Sequence, residues 1–343
     1  ITEMKILTIV GARPQYIKAA PVSNVLKEAG LEEIMVNTGQ HYDFNMSDLF
    51  FKELNIPSAK YNLNVRSDTH GRQTGKMLTK LDEIIENEKP DAAIVYGDTN
   101  TTLAGALSCV KQHIPVIHIE AGLRSYNKKM PEEINRVVTD HISSMLFCPS
   151  EVSAENLKNE SIRDGVHVVG DVMNDIFQKF KTKFGDHNEY GDYALLTMHR
   201  AENTEKEILT KRLLQMSELN QKIIYPIHPR TKKCIEQWSL TIPENVTPIE
   251  PVSWLKLMNL AKHAKIILTD SGGLQKEAMW HEKYCLTLRN ETEWKETINQ
   301  GVNRLISKND TIQFPDMEEG NFLNPYGDGN AAGAISEIIR NYC

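Results

Sequence analysis

Short apolar runs alternate with amphipathic helical patterns along almost the whole chain. The predicted strands are Lys5–Val10, Glu33–Asn37, Ala92–Tyr96, Val116–Ile119, Met145–Cys148, Val166–Val169, Tyr193–Met198, Lys222–Ile227, Val246–Ile249, Lys265–Thr269 and Tyr284–Leu288. The helical patterns between them include Gln15–Lys27, Gly71–Glu86, Thr101–Gln112, Glu132–Ser143, Lys206–Leu219 and Leu274–Trp280. This alternation is typical of parallel sheets covered by helices on both faces, so the sequence predicts an α/β fold.

The number of predicted strands indicates two domains. About eleven strands exceed what one open sheet usually holds, whereas 343 residues suffice for two α/β domains. A division near residue 172 gives two similar halves, 4–172 and 173–325, each a Rossmann-like, doubly wound domain. The polar, turn-rich stretch Phe180–Tyr190 places the linker between residues 170 and 192. Doubly wound sheets bind ligands beyond the carboxyl ends of their strands, so we expect the active site in the interdomain cleft.

Charge and cysteine content argue against several kinds of partner. The formal charge of −7 disfavours nucleic acid or an anionic membrane. The five cysteines are scattered, without a CxxC pair or a Cys/His ligand spacing, so neither a zinc site nor a disulfide framework is indicated. No apolar run reaches the roughly 18 residues that span a bilayer, and no signal peptide is recognisable before the first strand. We therefore expect a cytoplasmic protein.

The stretch Ile266–Ala278 is the most specific local signal. An apolar strand runs into Thr-Asp-Ser-Gly-Gly, and an amphipathic helix containing Glu277 follows. Gly272 and Gly273 would let a ligand approach the backbone, and the N–H groups of the helix start favour a phosphate. Glu277 would accept hydrogen bonds from ribose hydroxyls. The alternative is a tight strand-to-helix turn capped by Ser271, without a ligand.

Basic residues follow the first predicted strand. Arg13 lies directly after it, and Lys18 lies about one turn into the next helix. Both side chains are suited to bind anionic oxygens at this strand end. Taken singly, each is equally typical of a solvated helix start.

Acidic residues follow two later strands of the first half. Asp98 and Glu120 come directly after strands, and Glu133 and Arg136 lie in the opening turns of the next helix. Each acid alone is explained by helix capping or by the helix dipole. Three acids facing one crevice can instead supply a proton acceptor and a donor, because close carboxylates push each other's pKa values apart.

The second half adds His199 and Arg200 after one strand and His228 after the next, where they would face the substrate. The position of His228 is equally typical of a histidine with a purely structural role.

Several cofactor motifs are absent from the sequence: GxGxxG after the first strand, GxxxxGK[ST], GxSxG and DxD-type acids. We therefore predict a mechanism without a metal or another cofactor.

A set of segments together resembles the UDP-N-acetylglucosamine 2-epimerase family of the non-hydrolysing type, over nearly the whole chain. The segments are GARPQYIKAAP (11–21), TGQH (38–41), GDTNTT (97–102), HIEAGLR (118–124), PEEINR (131–136), TMHRAENT (197–204), LTDSGGLQKEA (268–278), RNETE (289–293) and NPYGDGNA (324–331). The resemblance implies a glycosyltransferase-B-like fold, a final helix in 326–343 that returns to the first domain, a homodimer, and no need for NAD or metal.

The resemblance also implies roles for individual residues. The catalytic acids of the family match Asp98, Glu120 and Glu133, and its histidine near the diphosphate matches His199. The matched binding residues are Arg13 and Lys18 for the basic pair, Ser271, Gly272 and Gly273 for the diphosphate loop, and Glu277 for the ribose. We add three further binding residues from their positions at strand and helix ends: Arg136, Arg200 and His228.

The implied activity is an isomerase that inverts C2 of UDP-N-acetylglucosamine to give UDP-N-acetylmannosamine. UDP would be eliminated to a 2-acetamidoglycal and re-added, and the product would supply surface polysaccharide. The alternatives are a UDP-2,3-diacetamido-2,3-dideoxy-glucuronic acid 2-epimerase, a hydrolysing 2-epimerase and a glycosyltransferase of the same fold. Tyr42 follows Gln40-His41 where some members carry a QHR motif for an allosteric UDP-sugar, although Arg72 is present, so we do not expect that regulation.

Overall fold

A computed structural model describes residues 4–40, 54–314 and 320–342; His41 and Tyr42 lie outside these ranges. The chain divides into two compact units, residues 1–179 with 325–343 and residues 180–324. Each unit contains one parallel sheet with helices, which confirms the predicted α/β fold.

The first unit contains a seven-stranded sheet in the order β3-β2-β1-β4-β5-β6-β7. Its strands are β1 (Lys5–Val10), β2 (Glu32–Asn37), β3 (Tyr61–Asn62), β4 (Ala92–Tyr96), β5 (Val116–Ile119), β6 (Met145–Cys148) and β7 (Val166–Val168). Its helices are α1 (Arg13–Glu28), α2 (His70–Glu88), α3 (Asn100–Lys111), α4 (Pro131–Ile142), α5 (Glu151–Asn159), α6 (Val172–Phe180, whose last residue falls in the second unit) and α12 (Ala331–Tyr342).

The strand order of the first unit places a switch point beside its central strands. Strand β1 pairs in parallel with β2 on one side and with β4 on the other, so the chain reverses its direction of winding between β1 and β4. Both strands are almost fully buried and apolar, as expected for strands covered on two faces. In such sheets the crevice beyond the carboxyl ends of these strands is the usual ligand site.

The second unit repeats this architecture with a six-stranded sheet in the order β10-β9-β8-β11-β12-β13. Its strands are β8 (Ala194–Thr197), β9 (Ile223–Pro226), β10 (Val246–Ile249), β11 (Ile266–Thr269), β12 (Tyr284–Thr287) and β13 (Asn303–Leu305). Its helices are α7 (Lys206–Ser217), α8 (Pro229–Gln237), α9 (Trp254–His263), α10 (Gly272–Trp280) and α11 (Lys295–Asn299). The switch point lies between β8 and β11, so residues after these two strands are the ones a ligand would meet.

The final helix α12 packs against α1 of the first unit. Its start is fixed by Asp175, whose two carboxylate oxygens accept hydrogen bonds from the N–H groups of Ala331 and Ala332 at 2.9 and 2.7 Å. Since the first N–H groups of a helix have no partner within the helix, this carboxylate caps α12 from α6.

Two strands of the structure were absent from the sequence prediction, β3 and β13. Both are two or three residues long and lie at the edges of their sheets. Neither contains an apolar run, because an edge strand needs less burial than a central one. All eleven predicted strands are present, with ends that differ by at most one or two residues.

Candidate active site

The carboxyl ends of β4 and β5 carry the first two predicted acids. Gly97 follows β4 with a φ of +65° and leads to Asp98, whose side chain is 27% exposed. Glu120 follows β5 with a φ of +70°, a left-handed conformation that is unusual for a residue with a side chain. A Cβ built on Gly97 would lie 3.5 Å from both Glu120 Oε1 and Lys18 Nζ, so these groups surround the Gly97 turn.

Lys18 and Glu120 form a close ion pair. The Nζ–Oε1 distance is 2.6 Å, and both side chains are largely buried. Burial alone would lower the pKa of Lys18, but the charge and hydrogen bond of Glu120, with two further carboxylates, raise it above its ordinary value. Lys18 therefore stays charged and provides a fixed cation at the carboxyl end of β5.

Arg136 joins the other two predicted acids. Its guanidinium donates to Asp98 Oδ2 through one nitrogen and to Glu133 Oε2, at 2.9 Å, through another. Glu133 also accepts hydrogen bonds from the N–H and hydroxyl of Ser125 and from the N–H of Tyr126, at 2.8 to 2.9 Å. Four donors thus hold Glu133, whereas Asp98 keeps more of its surface open to solvent.

Arg13 is the first residue of α1 and is partly buried. The turn before it is held by Gln15, which the sequence analysis did not single out as a site residue. Gln15 Oε1 accepts from the N–H groups of Gly11 and Ala12, and its amide donates to the carbonyl of Tyr96 at the end of β4. Gln15 therefore couples the ends of β1 and β4, next to the predicted acids.

The second unit brings His199 and Arg200 together around Asp270, another residue that the sequence analysis did not single out. Asp270 is fully buried and accepts hydrogen bonds from the backbone N–H groups of His199 and Arg200 and from the amide of Asn203. The imidazole of His199 lies 3.4 Å from Asp270 Oδ1 and stacks on that of His228, with 5.4 Å between ring centroids. Three predicted residues, His199, Arg200 and His228, thus lie at the ends of β8 and β9. Asp270 could have been recognised in the sequence from its position directly after β11.

The start of α10 follows β11 directly. Ser271 occupies the N-cap position without a capping hydrogen bond from its side chain, so the hydroxyl is not needed for the turn itself. A Cβ on Gly273 would meet nothing within 4 Å, whereas one on Gly272 would lie 2.7 Å from Glu293 Oε1. Glu293 is in turn bound by Arg289 at 2.9 Å. The two glycines therefore differ: Gly272 is packed against the protein and Gly273 faces open space.

Glu277 lies farther along α10 and is buried, with 6% of its surface exposed. Its Oε1 accepts a hydrogen bond from the indole N–H of Trp254 at 2.7 Å. Trp254 itself packs edge-on against Phe180 and Phe184, which fixes the indole. The carboxylate is therefore held in one orientation before any ligand binds.

Within the described ranges, no group of three or more His, Cys, Asp or Glu residues is arranged to hold a metal ion. In the same part of the chain, no helix is both long and apolar enough to cross a bilayer. Cys109, Cys148, Cys234 and Cys285 are free thiols.

Comparison with known proteins gives consistent matches over nearly the whole chain. The family model for UDP-N-acetylglucosamine 2-epimerase matches residues 24–340. A UDP-N-acetylglucosamine 2-epimerase homolog of Methanococcus maripaludis is 48% identical, over 98% of this chain and 100% of the relative. The UDP-2,3-diacetamido-2,3-dideoxy-D-glucuronate 2-epimerase of Pseudomonas aeruginosa is 43% identical, over 98% of this chain and 99% of the relative.

The solved structures agree. The crystal structure of Methanocaldococcus jannaschii UDP-GlcNAc 2-epimerase in complex with UDP-GlcNAc and UDP aligns with a TM-score of 0.91 at 41% identity, covering 98% of this chain and 100% of that one. This similarity confirms the glycosyltransferase-B-like fold that the resemblance implied. The chain therefore belongs to the UDP-N-acetylglucosamine 2-epimerase family, a family of isomerases.

Proposed function

We propose that this protein inverts C2 of UDP-N-acetylglucosamine to give UDP-N-acetylmannosamine. The observation that carries the proposal is the clustering of Asp98, Glu120 and Glu133 with two buried cations, Lys18 and Arg136, at one edge of the first sheet. A binding protein has no use for several carboxylates held in this way. A catalyst that must remove a proton and later return one has such a use.

The chemistry explains why more than one acid is needed. The C2 proton of an N-acetylhexosamine is barely acidic, since C2 is not adjacent to a carbonyl carbon. Its removal becomes feasible when the C1–oxygen bond to UDP breaks and the electron pair of the C2–H bond forms the C1–C2 double bond of a 2-acetamidoglycal. A proton then adds to C2 from the opposite face as UDP returns to C1. Substrate and product have the same oxidation state, so no redox cofactor is needed.

The contacts suggest a division of labour among the acids. Four donors already occupy the oxygens of Glu133, and the side chain is buried, so we assign it to fixing Arg136 next to the reacting sugar. Asp98 and Glu120 then carry the proton transfers on the two faces of C2. The charged neighbours Lys18 and Arg136 keep both carboxylates in place during the reaction.

We assign the UDP group to the second unit. The N–H groups at the start of α10 suit a diphosphate, and the open space beside Gly273 leaves room for it. Ser271, His199, Arg200 and His228 would contact the phosphates and Glu277 the ribose, while Arg13 of the first unit would bind the leaving group's charge. Stabilising that charge lowers the barrier to breaking the C1–oxygen bond.

A second candidate substrate is UDP-2,3-diacetamido-2,3-dideoxy-glucuronic acid. It is favoured by the Pseudomonas relative, which is 43% identical over nearly the full length of both chains. The same elimination applies to it, because the reacting C1 and C2 atoms carry the same groups. The two candidates differ only at the substituents of C3 and C5.

The test is incubation of each UDP-sugar with the protein in heavy water, followed by proton NMR. We expect loss of the C2 proton signal and appearance of the epimer in the absence of an acceptor, for one of the two sugars. Retention of the C2 proton with both would refute the proposal. Free N-acetylmannosamine with UDP would identify a hydrolysing enzyme, and UDP release only with an added sugar acceptor would identify a glycosyltransferase.

Matched variants test whether the acids carry the reaction. Glu120→Gln should lower kcat by at least about a hundredfold. Glu132→Gln is the control, since Glu132 lies beside Glu133 in α4 but on a partly exposed position. Equal activity of the two variants would remove Glu120 from the mechanism.

The proposal includes a homodimer, a cytoplasmic location and a product used for surface polysaccharide. These three parts are supported by the family resemblance. Light scattering of the purified protein tests the first, and a monomer at micromolar concentration would refute it. Fractionation of cells and analysis of polysaccharide after deletion of the gene test the other two.

A further inference from the structure

His118 lies in the middle of β5 and is fully buried, although its sequence position gave it no role. Its Nε2 lies 2.7 Å from the carbonyl oxygen of Gly97, and its Nδ1 lies 2.7 Å from Asp140 Oδ1. A carbonyl oxygen has no proton to give, so Nε2 must donate. A neutral imidazole carries only one N–H, and the state of Nδ1 therefore depends on whether Asp140 is ionised.

The surroundings of Asp140 keep it ionised. Its Oδ2 accepts hydrogen bonds from the Arg124 guanidinium at 2.6 Å and from the N–H of Gly122 at 3.1 Å. Burial alone would raise the pKa of Asp140, but the charges and hydrogen bonds of His118 and Arg124 lower it below its ordinary value. Both ring nitrogens of His118 thus face acceptors, and both must carry a proton.

The other charged groups around His118 are compatible with this state. Arg124 also binds Glu160 through two nitrogens, at 2.7 and 2.8 Å, so the two cations His118 and Arg124 are matched by two carboxylates. In the same region, Asp98 follows β4, the Lys18–Glu120 pair lies at the end of β5, and Cys148 lies on β6, close enough to Asp140 for the carboxylate to affect it. Burial raises the pKa of Cys148 to about 12, so this thiol adds no charge.

The contact with Gly97 connects this buried charge to the candidate active site. Gly97 adopts a left-handed φ and directly precedes Asp98, and the next carbonyl, that of Asp98, accepts a hydrogen bond from Asn135. We propose that His118 is a buried imidazolium that fixes the Gly97 peptide and thereby positions the Asp98 carboxylate. The positioning role rests on the proposed function, whereas the charge state does not.

The charge state is tested by nitrogen NMR of the ring nitrogens in protein labelled with ¹⁵N-histidine. The His118 signals are assigned from their absence in His118→Gln. We expect both His118 nitrogens to carry a proton at pH 7, because each of them faces a hydrogen-bond acceptor. A His118 nitrogen without a proton at pH 7 would overturn the proposal.

The positioning role is tested by kinetics of the same variant. Glutamine can still donate one hydrogen bond to Gly97 but carries no charge. We expect His118→Gln to lower kcat about 10- to 100-fold with KM changed less than about twofold, because the reacting carboxylate is misplaced while UDP binding persists. His141→Gln is the control: His141 is exposed and touches the same network only from outside, at Glu160, so we expect no change in kcat.

Each outcome of these experiments decides something. Wild-type kcat in His118→Gln would overturn the positioning role even if the ring is doubly protonated. If the variant does not fold, the spectrum of the wild-type protein, assigned from Asp140→Asn, still decides the charge state. A wild-type protein inactive on both UDP-sugars would refute the proposed function and leave the spectroscopic result intact.

Discussion

The two glycines at the start of α10 lead to opposite expected effects of the same substitution. A Cβ on Gly272 would lie 2.7 Å from Glu293 Oε1, about 0.7 Å inside ordinary van der Waals contact. Glu293 cannot move aside easily, because it is buried and bound to Arg289. Forcing an extra methyl group into such a place costs about 1 to 3 kcal/mol. We therefore expect Gly272→Ala to lower the free energy of unfolding by about that amount.

Gly273→Ala is the matched control for stability and the test case for binding. The added Cβ would meet no protein atom within 4 Å, and alanine is better than glycine in a helix by up to about 1 kcal/mol. We expect this variant to be as stable as the wild type or slightly more stable. The same methyl group would fill the space that we assign to the diphosphate, so the Kd for UDP should rise at least about tenfold, or about 1.4 kcal/mol.

Urea denaturation and calorimetric titration with UDP measure the two effects separately. We expect a lower urea midpoint for Gly272→Ala and weaker UDP binding for Gly273→Ala. Unchanged stability of Gly272→Ala would show that Glu293 adapts without cost. UDP binding to Gly273→Ala at wild-type affinity would refute the assignment of the diphosphate to this turn.

Two further predictions concern buried charges. Lys18→Met leaves the Glu120 carboxylate buried without the Lys18 ammonium, so the free energy of unfolding in urea should fall by about 3 kcal/mol. Lys27→Met, at an exposed position of the same helix, is the control and should not change it. Equal urea midpoints for the two variants would contradict this prediction. Burial raises the pKa of Asp175 to about 6, so the folded protein holds this proton more tightly than the unfolded chain does, and the contribution of Asp175 to stability falls as pH rises from about 4 to about 6. Thermal unfolding of Asp175→Asn should lack this part of the pH dependence, which amounts to up to about 3 kcal/mol in the wild type. The same pH dependence in the variant and the wild type would refute the prediction.

The fold could be predicted from the sequence because parallel strands buried on both faces leave an unmistakable pattern. β1 is mostly apolar and β4 is apolar throughout, and glycine or polar residues follow both strands. β3 and β13 were not predictable in the same way. They are short edge strands, stabilised by pairing with β2 and β12 rather than by burial of an apolar run.

The residue types of the candidate site were also predictable, since parallel strands bring their carboxyl ends to one edge. This rule found Asp98 and Glu120. It did not find Asp270, which follows β11 and organises the backbone of His199 and Arg200. Asp270 looked like part of a turn, because its partners lie about 70 residues earlier in the chain.

What the sequence could not supply is the pairing of charges, and the pairing decides the chemistry. In the sequence, Glu133 is one of two adjacent acids at a helix start, and nothing in the neighbouring residues distinguishes it from Glu132. In the folded chain it is bound by four donors, while Asp98, 35 positions away, shares only Arg136 with it. A buried carboxylate that four donors surround is difficult for a substrate proton to reach, whereas one that stays partly exposed can be reached. The different roles that we propose for Glu133 and Asp98 therefore depend on contacts that arise only in folding.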